Sequence, residues 1–240
     1  MADHPILFSG PMVRALLDGR KTQTRRVIKP AYEIGGGWPM FPSYLNGKRI
    51  GESSNPDFDD LSEFNGGSPL YGGATPICPG DRLWVREKGW ERPERTPQMM
   101  RDGADTWDPF YYDADDLACF EHEQFNAWGF KRRPSIHMPR WASRLTLLVT
   151  DVRVQRVQQI SEEDAIAEGV ERDRIFKGEP AWRSYENWVG CCAGPVSSFA
   201  TLWDSLNEDR GFGWDENPWV VALTFRVIKQ NIDQIEREAA

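Results

Sequence analysis

The chain has 240 residues, 40% of them hydrophobic and 12% aromatic, and a formal net charge of −8. That is enough to bury a sizeable core, and no stretch approaches the ~20 apolar residues of a membrane helix. An acidic chain is a poor coat for long duplex nucleic acid, because neutralised phosphates drive such binding; a small substrate, or a short single strand held in a local basic cleft, remains open.

The opening residues, Met1-Ala2-Asp3-His4-Pro5, carry no basic region followed by an apolar run, so no signal peptide is expected. Ile6-Leu7-Phe8 reads as a short strand. Ser9 and Pro11 then suit a helix start, Val13, Leu16 and Leu17 recur at helical spacing, and Gly19 is a natural terminator. Gln23–Ile28 alternates as a strand. Residues 31–79 hold Gly35-Gly36-Gly37, Asn65-Gly66-Gly67 and Gly72-Gly73, and read mostly as loop; their aromatics predict an insertion that packs down. After the turn Gly80-Asp81-Arg82, Leu83–Glu87 reads as a strand. A second irregular, loop-rich insertion spans about 90–139. Leu145–Val157 alternates as a long strand. Ser161-Glu162-Glu163-Asp164 resembles a capping box with Asp at its last position, opening a short helix that runs to Glu168 and stops at Gly169. Phe199, Leu202, Trp203 and Leu206 form a helical stripe, Trp219–Ile228 reads as a final strand, and a polar helical tail follows. Short strands with helices between them predict a single α+β domain built on a small, mixed, largely antiparallel β-barrel with flanking helices.

The four cysteines include no Cys-x-x-Cys pair, and the adjacent Cys191 and Cys192 would close a strained ring. His4, His122 and His137 are scattered. A zinc site would need distant pieces, so no metal or cofactor is expected, and reduced thiols fit a cytoplasmic location. The segment most informative about chemistry is Gly19-Arg20-Lys21-Thr22-Gln23-Thr24-Arg25-Arg26. Alternation sends Thr24 and Arg26 to one face of the strand and Gln23 and Arg25 to the other. Lys21 sits in the preceding turn and can swing towards Thr24. On spacing alone the run is either a solvated basic edge that blunts aggregation or a site.

Gly19, Lys21 and Arg26 resemble the Gly-x-Lys-x-x-Glu-x-Arg signature of the ASCH family, a branch of the PUA-like β-barrels, with Thr24 where the signature has Glu. That departure is similar to the bacterial N4-acetylcytidine amidohydrolases, which carry Lys and Thr at these positions. Gly80-Asp81-Arg82-Leu83-Trp84-Val85 resembles the family's Gly-Asp-x-Leu-x-Val strand. Residues 160–169 look like its strand-to-helix segment, whose last Glu completes the amidohydrolase triad. In its overall pattern the chain resembles ASCH proteins of phages and prophages. The two long insertions have no counterpart in the small amidohydrolases.

The resemblance implies an amidohydrolase that removes an acyl group from the exocyclic N4 of a modified cytosine base or nucleoside. The alternatives are a module that binds RNA or a modified nucleotide without chemistry, and a ribonuclease, an activity also associated with the family. The implied catalytic residues are Lys21, Thr24 and Glu168. Thr24 supplies a hydroxyl or holds the attacking water, Lys21 acts as base, and Glu168 shuttles the proton to the leaving nitrogen or reads the base by accepting a hydrogen bond. Lys21 needs a lowered pKa, which neighbouring Arg20, Arg25 and Arg26 or desolvation can provide. Arg26 orients substrate or stabilises the oxyanion. Trp84 either stacks on a base or packs in the core. Glu87 either accepts a hydrogen bond from substrate or pairs with Arg82 or Arg86. Lys131-Arg132-Arg133, with Arg140 and Arg144, either line a phosphate groove or form a solvated patch. The expected partner is a nucleoside or short single-stranded RNA, with no membrane and no strong duplex binding.

Overall fold

The computed structural model describes residues 2–28, 32–34, 38–45, 48–53, 77–94, 97–103, 107–115, 122–176, 179–185 and 190–235. The architecture is mixed α+β with mostly antiparallel sheets. The largest sheet has the strand order β1-β6-β10-β14-β2, where β1 is Asp3–Leu7, β2 Gln23–Val27, β6 Arg82–Arg86, β10 Thr146–Arg156 and β14 Trp219–Ile228. Strands β2, β6, β10 and β14 fall within one residue of the strands expected from the sequence, whereas β1 starts three residues before the expected Ile6-Leu7-Phe8 run and ends one residue short of it. Among the described residues the chain forms two compact units. One comprises Met1–Ala2, Arg20–Asp81 and Leu148–Arg226; the other comprises Asp3–Gly19, Arg82–Leu147 and Val227–Ala240.

In the first unit β2 pairs antiparallel with β14, setting Thr24 opposite Leu223 and Arg25 opposite Ala222. Helix α4 (Glu162–Ala167) starts where expected. The Ser161 hydroxyl accepts a hydrogen bond from the Asp164 amide at 3.1 Å, and Gly169 closes the helix at φ +91°. Half of the expected capping box is therefore present; the Asp164 carboxylate turns to side chains instead. Because α4 is only six residues long, its cap carries much of its local definition. Ser161→Ala is expected to lower the unfolding free energy by about 1 kcal/mol in urea denaturation. Helix α5 (Pro195–Asn207) presents Phe199 and Trp203 to a core shared with Val27, Val157, Ile160, Ala165, Val170 and Val220. Leu206, placed on that stripe by spacing, is 45% exposed: it lies in the last turn, where the apolar face has run past the core.

Residues 31–79 are not wholly loop. Strands β3 (Tyr32–Ile34), β4 (Trp38–Leu45) and β5 (Lys48–Ser53) form an antiparallel meander in the order β3-β4-β5. Pro39 and Pro42 inside β4 hide it from a strand search, because proline is depleted in strand interiors. Residues 54–76 of this expected insertion lie outside the described residues.

In the second unit β1 runs parallel to β6, and helix α1 (Gly10–Leu17) buries Val13, Ala15 and Leu16. Ser9 occupies the N-cap position without a side-chain cap, while Gly19 supplies the left-handed residue after the helix at φ +74°. The stretch expected to be irregular from about 90 holds a sheet in the order β8-β7-β9, from Phe110–Tyr112, Gly89–Glu91 and Lys131–Arg133. Strands of three residues are too short to show periodicity. Trp90 stacks on Phe125 at 5.2 Å, and Phe130, Trp107, Tyr111 and Trp128 complete a small aromatic core. The expected polar helical tail is replaced by turns over residues 232–234, and residues 236–240 lie outside the described residues. Asn231 donates to the carbonyls of Arg140, Trp141 and Ser143, and Asp233 pairs with Arg140 at 2.7 Å; these tertiary bonds hold the segment out of a helix.

Candidate active site

The strongest concentration of buried charge is in the first unit, where β2 meets the end of α4. The last carbonyls of a helix have no partner inside it. Three consecutive residues before β2 satisfy three consecutive carbonyls here. The Thr22 amide donates to Ala167 O at 2.8 Å, Lys21 Nζ to Glu168 O at 2.7 Å, and Arg20 Nη1 to Gly169 O at 3.1 Å. Thr22 O accepts from the Phe225 amide at 2.9 Å, tying the same turn to β14. This stitching fixes the Lys21 backbone and aims its side chain along the helix terminus.

Lys21 Nζ also donates to Glu168 Oε2 at 2.7 Å. Both residues are shielded from solvent, at 1% and 6% exposure. The ammonium is therefore out of water and donates to one carboxylate oxygen and one carbonyl of the same residue. Burial pulls the Lys21 pKa below its ordinary value of 10.5; Glu168 works against that, and the Arg26 and Arg25 charges add to it. The sequence assigned this lowering to crowded arginines or to desolvation, and desolvation is the larger cause. Arg20 takes a different part: it is exposed, bonds Gly169 O and approaches Glu171 at 3.6 Å.

The other oxygen of Glu168 is held by Arg25. Its Nη1 lies 3.1 Å from Glu168 Oε1 and 2.5 Å from Gln23 Oε1, while Nη2 lies 2.9 Å from Asp164 Oδ2. Asp164 in turn accepts from Gln23 Nε2 at 3.0 Å and from Arg153 Nη2 at 3.0 and 3.1 Å. Partial burial raises the Asp164 pKa, but the bonds from Arg153 and Gln23 and the cationic charges outweigh it and hold the carboxyl below its usual range. The Phe199 ring covers the Arg25 guanidinium at 5.7 Å.

The structure thus brings Lys21 and Glu168 into direct contact. Thr24 is buried on β2 between Gln23 and Arg25, and strand alternation turns it to the face opposite theirs, the face it shares with the half-buried Arg26. Lys21 feels both Arg26 and Arg25, as expected for a residue that leads into the strand between its two faces. No family model, curated protein or solved structure matches the chain.

Trp84 and Glu87 belong to the second unit. Trp84 is 9% exposed and lies under the Arg86 guanidinium at 5.1 Å, so both its core position and its face are occupied. Glu87 pairs with neither Arg82 nor Arg86. It takes a bidentate bond from Arg144, 3.0 Å to each oxygen, and Arg144 also reaches Asp115 at 2.8 Å and stacks 3.9 Å from the Tyr112 ring centre. Burial pushes the Glu87 carboxyl up, against the bonds and charge of Arg144. Arg82 grips Asp3 instead, and Arg86 donates to Ile136 O. The reason is geometric: Arg82 and Arg86 lie on β6, whereas Arg144 reaches Glu87 from 57 residues away. The arginines of the expected phosphate groove are all engaged by acids: Arg132 by Asp113, Arg133 by Glu91, Arg140 by Asp3 and Asp233, and Arg144 by Glu87 and Asp115.

Sequence reasoning placed Arg25 only as a cation near Lys21, not as a partner of Glu168, and missed Gln23 and Asp164 as members of the site. Alternation did set Gln23 and Arg25 on one face, and Asp164 stood in a recognised cap. Nothing local says that this cap faces that strand. Among the described residues no group of three or more His, Cys, Asp or Glu is arranged to hold a metal ion, and no helix is long and apolar enough to cross a membrane.

Proposed function

We propose that this chain is an amidohydrolase that removes an acyl group from the exocyclic N4 of a modified cytosine base or nucleoside, on a PUA-like barrel of the ASCH type. The observation that carries the reading is the buried Lys21–Glu168 contact at 2.7 Å, with Thr24 three positions along the same segment. A lysine out of water, beside two arginines, loses its proton far more readily than a solvated one, which is what a general base requires. Thr24, or a water it holds, attacks the acyl carbonyl carbon. The attacking oxygen gives its proton to Lys21 Nζ, and Arg26 stabilises the charge that builds on the acyl oxygen. The proton passes through Glu168 to N4 as the C–N bond breaks, leaving the free cytosine amine. If Thr24 itself attacks, water then cleaves the acyl-threonine ester and restores the hydroxyl. The chemistry draws on these side chains and calls for no metal.

One observation favours a second reading, a binding module without chemistry. Lys21 also closes the α4 terminus through Glu168 O, a structural task that needs no reaction. Incubation with N4-acetylcytidine, scored chromatographically, separates the two. The hydrolase releases cytidine and acetate. A folded protein that retains the nucleoside in equilibrium dialysis and releases neither product is a binder.

A further inference from the structure

We propose that Arg25, anchored by Asp164, is a positioning residue that fixes the Glu168 carboxylate for proton exchange with Lys21. The proposal rests on the reading of Lys21 as the base. Its geometry is a chain of alternating charges in which each link is a hydrogen bond of 3.1 Å or less: Arg153 to Asp164, Asp164 to Arg25, Arg25 to Glu168, and Glu168 to Lys21. Arg25 takes Oε1 and Lys21 takes Oε2, so the carboxylate can neither rotate nor slide without breaking a buried bond. Gln23 braces both ends, accepting from Arg25 and donating to Asp164.

Three features distinguish this from a clasp that serves stability alone. Arg25 is fully desolvated, and its Nε–H has no hydrogen-bond partner among the described residues, an expensive arrangement for a guanidinium. Arg153 also pairs with Asp151 at 3.2 Å, so Arg153, Arg25 and Lys21 face Asp151, Asp164 and Glu168, and a proton passing from Lys21 to Glu168 leaves no net charge stranded in the interior. Finally, Arg25 presents only N–H donors and no acceptor atom. It can hold Glu168 while never competing for the proton, so the exchange is confined to Lys21 Nζ and Glu168 Oε2: the ammonium and carboxylate become amine and carboxylic acid, and return.

The test reads Lys21 itself. In protein labelled with 13C,15N-lysine, the Lys21 side-chain signal is assigned by its loss in Lys21→Met and followed against pH. Arg25→Gln removes one positive charge and leaves Glu168 wholly to Lys21. Its Lys21 titration is expected to move to higher pH, and the rising limb of the kcat/KM profile for N4-acetylcytidine to move with it, with about 10–100-fold lower kcat near neutrality and KM little changed. Arg25→Lys keeps the charge and is expected to recover part of the loss. An unshifted Lys21 titration in folded Arg25→Gln overturns the proposal. Should that variant not fold, Asp164→Asn, which leaves every charge of the Arg25–Glu168–Lys21 unit in place and removes only the anchor, takes its part: a Lys21 titration and kcat/KM identical to wild type would equally overturn it. The titration is read without turnover, so a shift accompanied by no hydrolysis in any variant upholds the positioning of Glu168 while refuting the hydrolase.

Discussion

Replacing Glu168 by alanine is expected to lower the unfolding free energy by about 3–5 kcal/mol, because it strands Lys21 and Arg25 in the interior without their shared carboxylate. For a chain of this size that is a fall in melting temperature of about 10 °C. An exposed pair sets the contrast: Arg183 and Glu171 meet at 2.6 Å, but with side chains 55% and 36% accessible, and Arg183→Ala should cost less than about 1 kcal/mol. The loss in Glu168→Ala comes from uncompensated buried charge, so removing the charge should restore part of it. The double variant Glu168→Ala, Lys21→Met is expected to be more stable than the two single losses added together, by about 0.5–3 kcal/mol. Strictly additive losses in urea denaturation would show that the two groups do not interact.

The second large effect is on catalysis. Thr24→Ala and Lys21→Met are each expected to reduce kcat/KM by about 10²–10⁴-fold, and the double variant should lose little more, since groups acting as one unit do not multiply their losses. The activity should rise with pH as Lys21 gives up its proton, at a pH below the 10.5 of a free lysine. Stability should carry the same signature. Between the folded pKa of Lys21 and 10.5, the unfolded chain binds one proton more than the folded chain. Stability therefore rises with pH across that window, and this contribution is complete above it and lost as pH falls through the folded value. Lys21→Met should lack that slope in urea midpoints taken from near neutrality to about pH 10.

The parts of this molecule that can be read from sequence are those whose causes are local. Ser161 and Gly169 mark both ends of α4 because a hydroxyl cap and a left-handed residue are chosen within one turn of chain. The alternation of β2, β10 and β14 is visible because each strand is long enough to show its period. The meander β3-β4-β5 was hidden by prolines, and β7, β8 and β9 by their brevity. At the site, Lys21 and Glu168 were legible as chemistry but not as a contact. Their meeting depends on α4 lying against β2 across 147 residues of sequence, and so does the grip of Arg25 and Asp164 on the same carboxylate. Glu87 shows the same limit, since its partner came from 57 residues away while nearer arginines were drawn to Asp3 and to Ile136. Side-chain pairing of this kind is settled by tertiary packing, for which spacing along the chain carries no signal.

The most direct measurement of the central claim is the rate at which folded wild-type protein and a folded Lys21→Met variant release cytidine from N4-acetylcytidine under identical conditions. The wild type should release cytidine, and the variant should do so at least about a hundredfold more slowly, on the order of the contribution of a general base. Equal rates in the two proteins, or no release by the wild type, would contradict the claim.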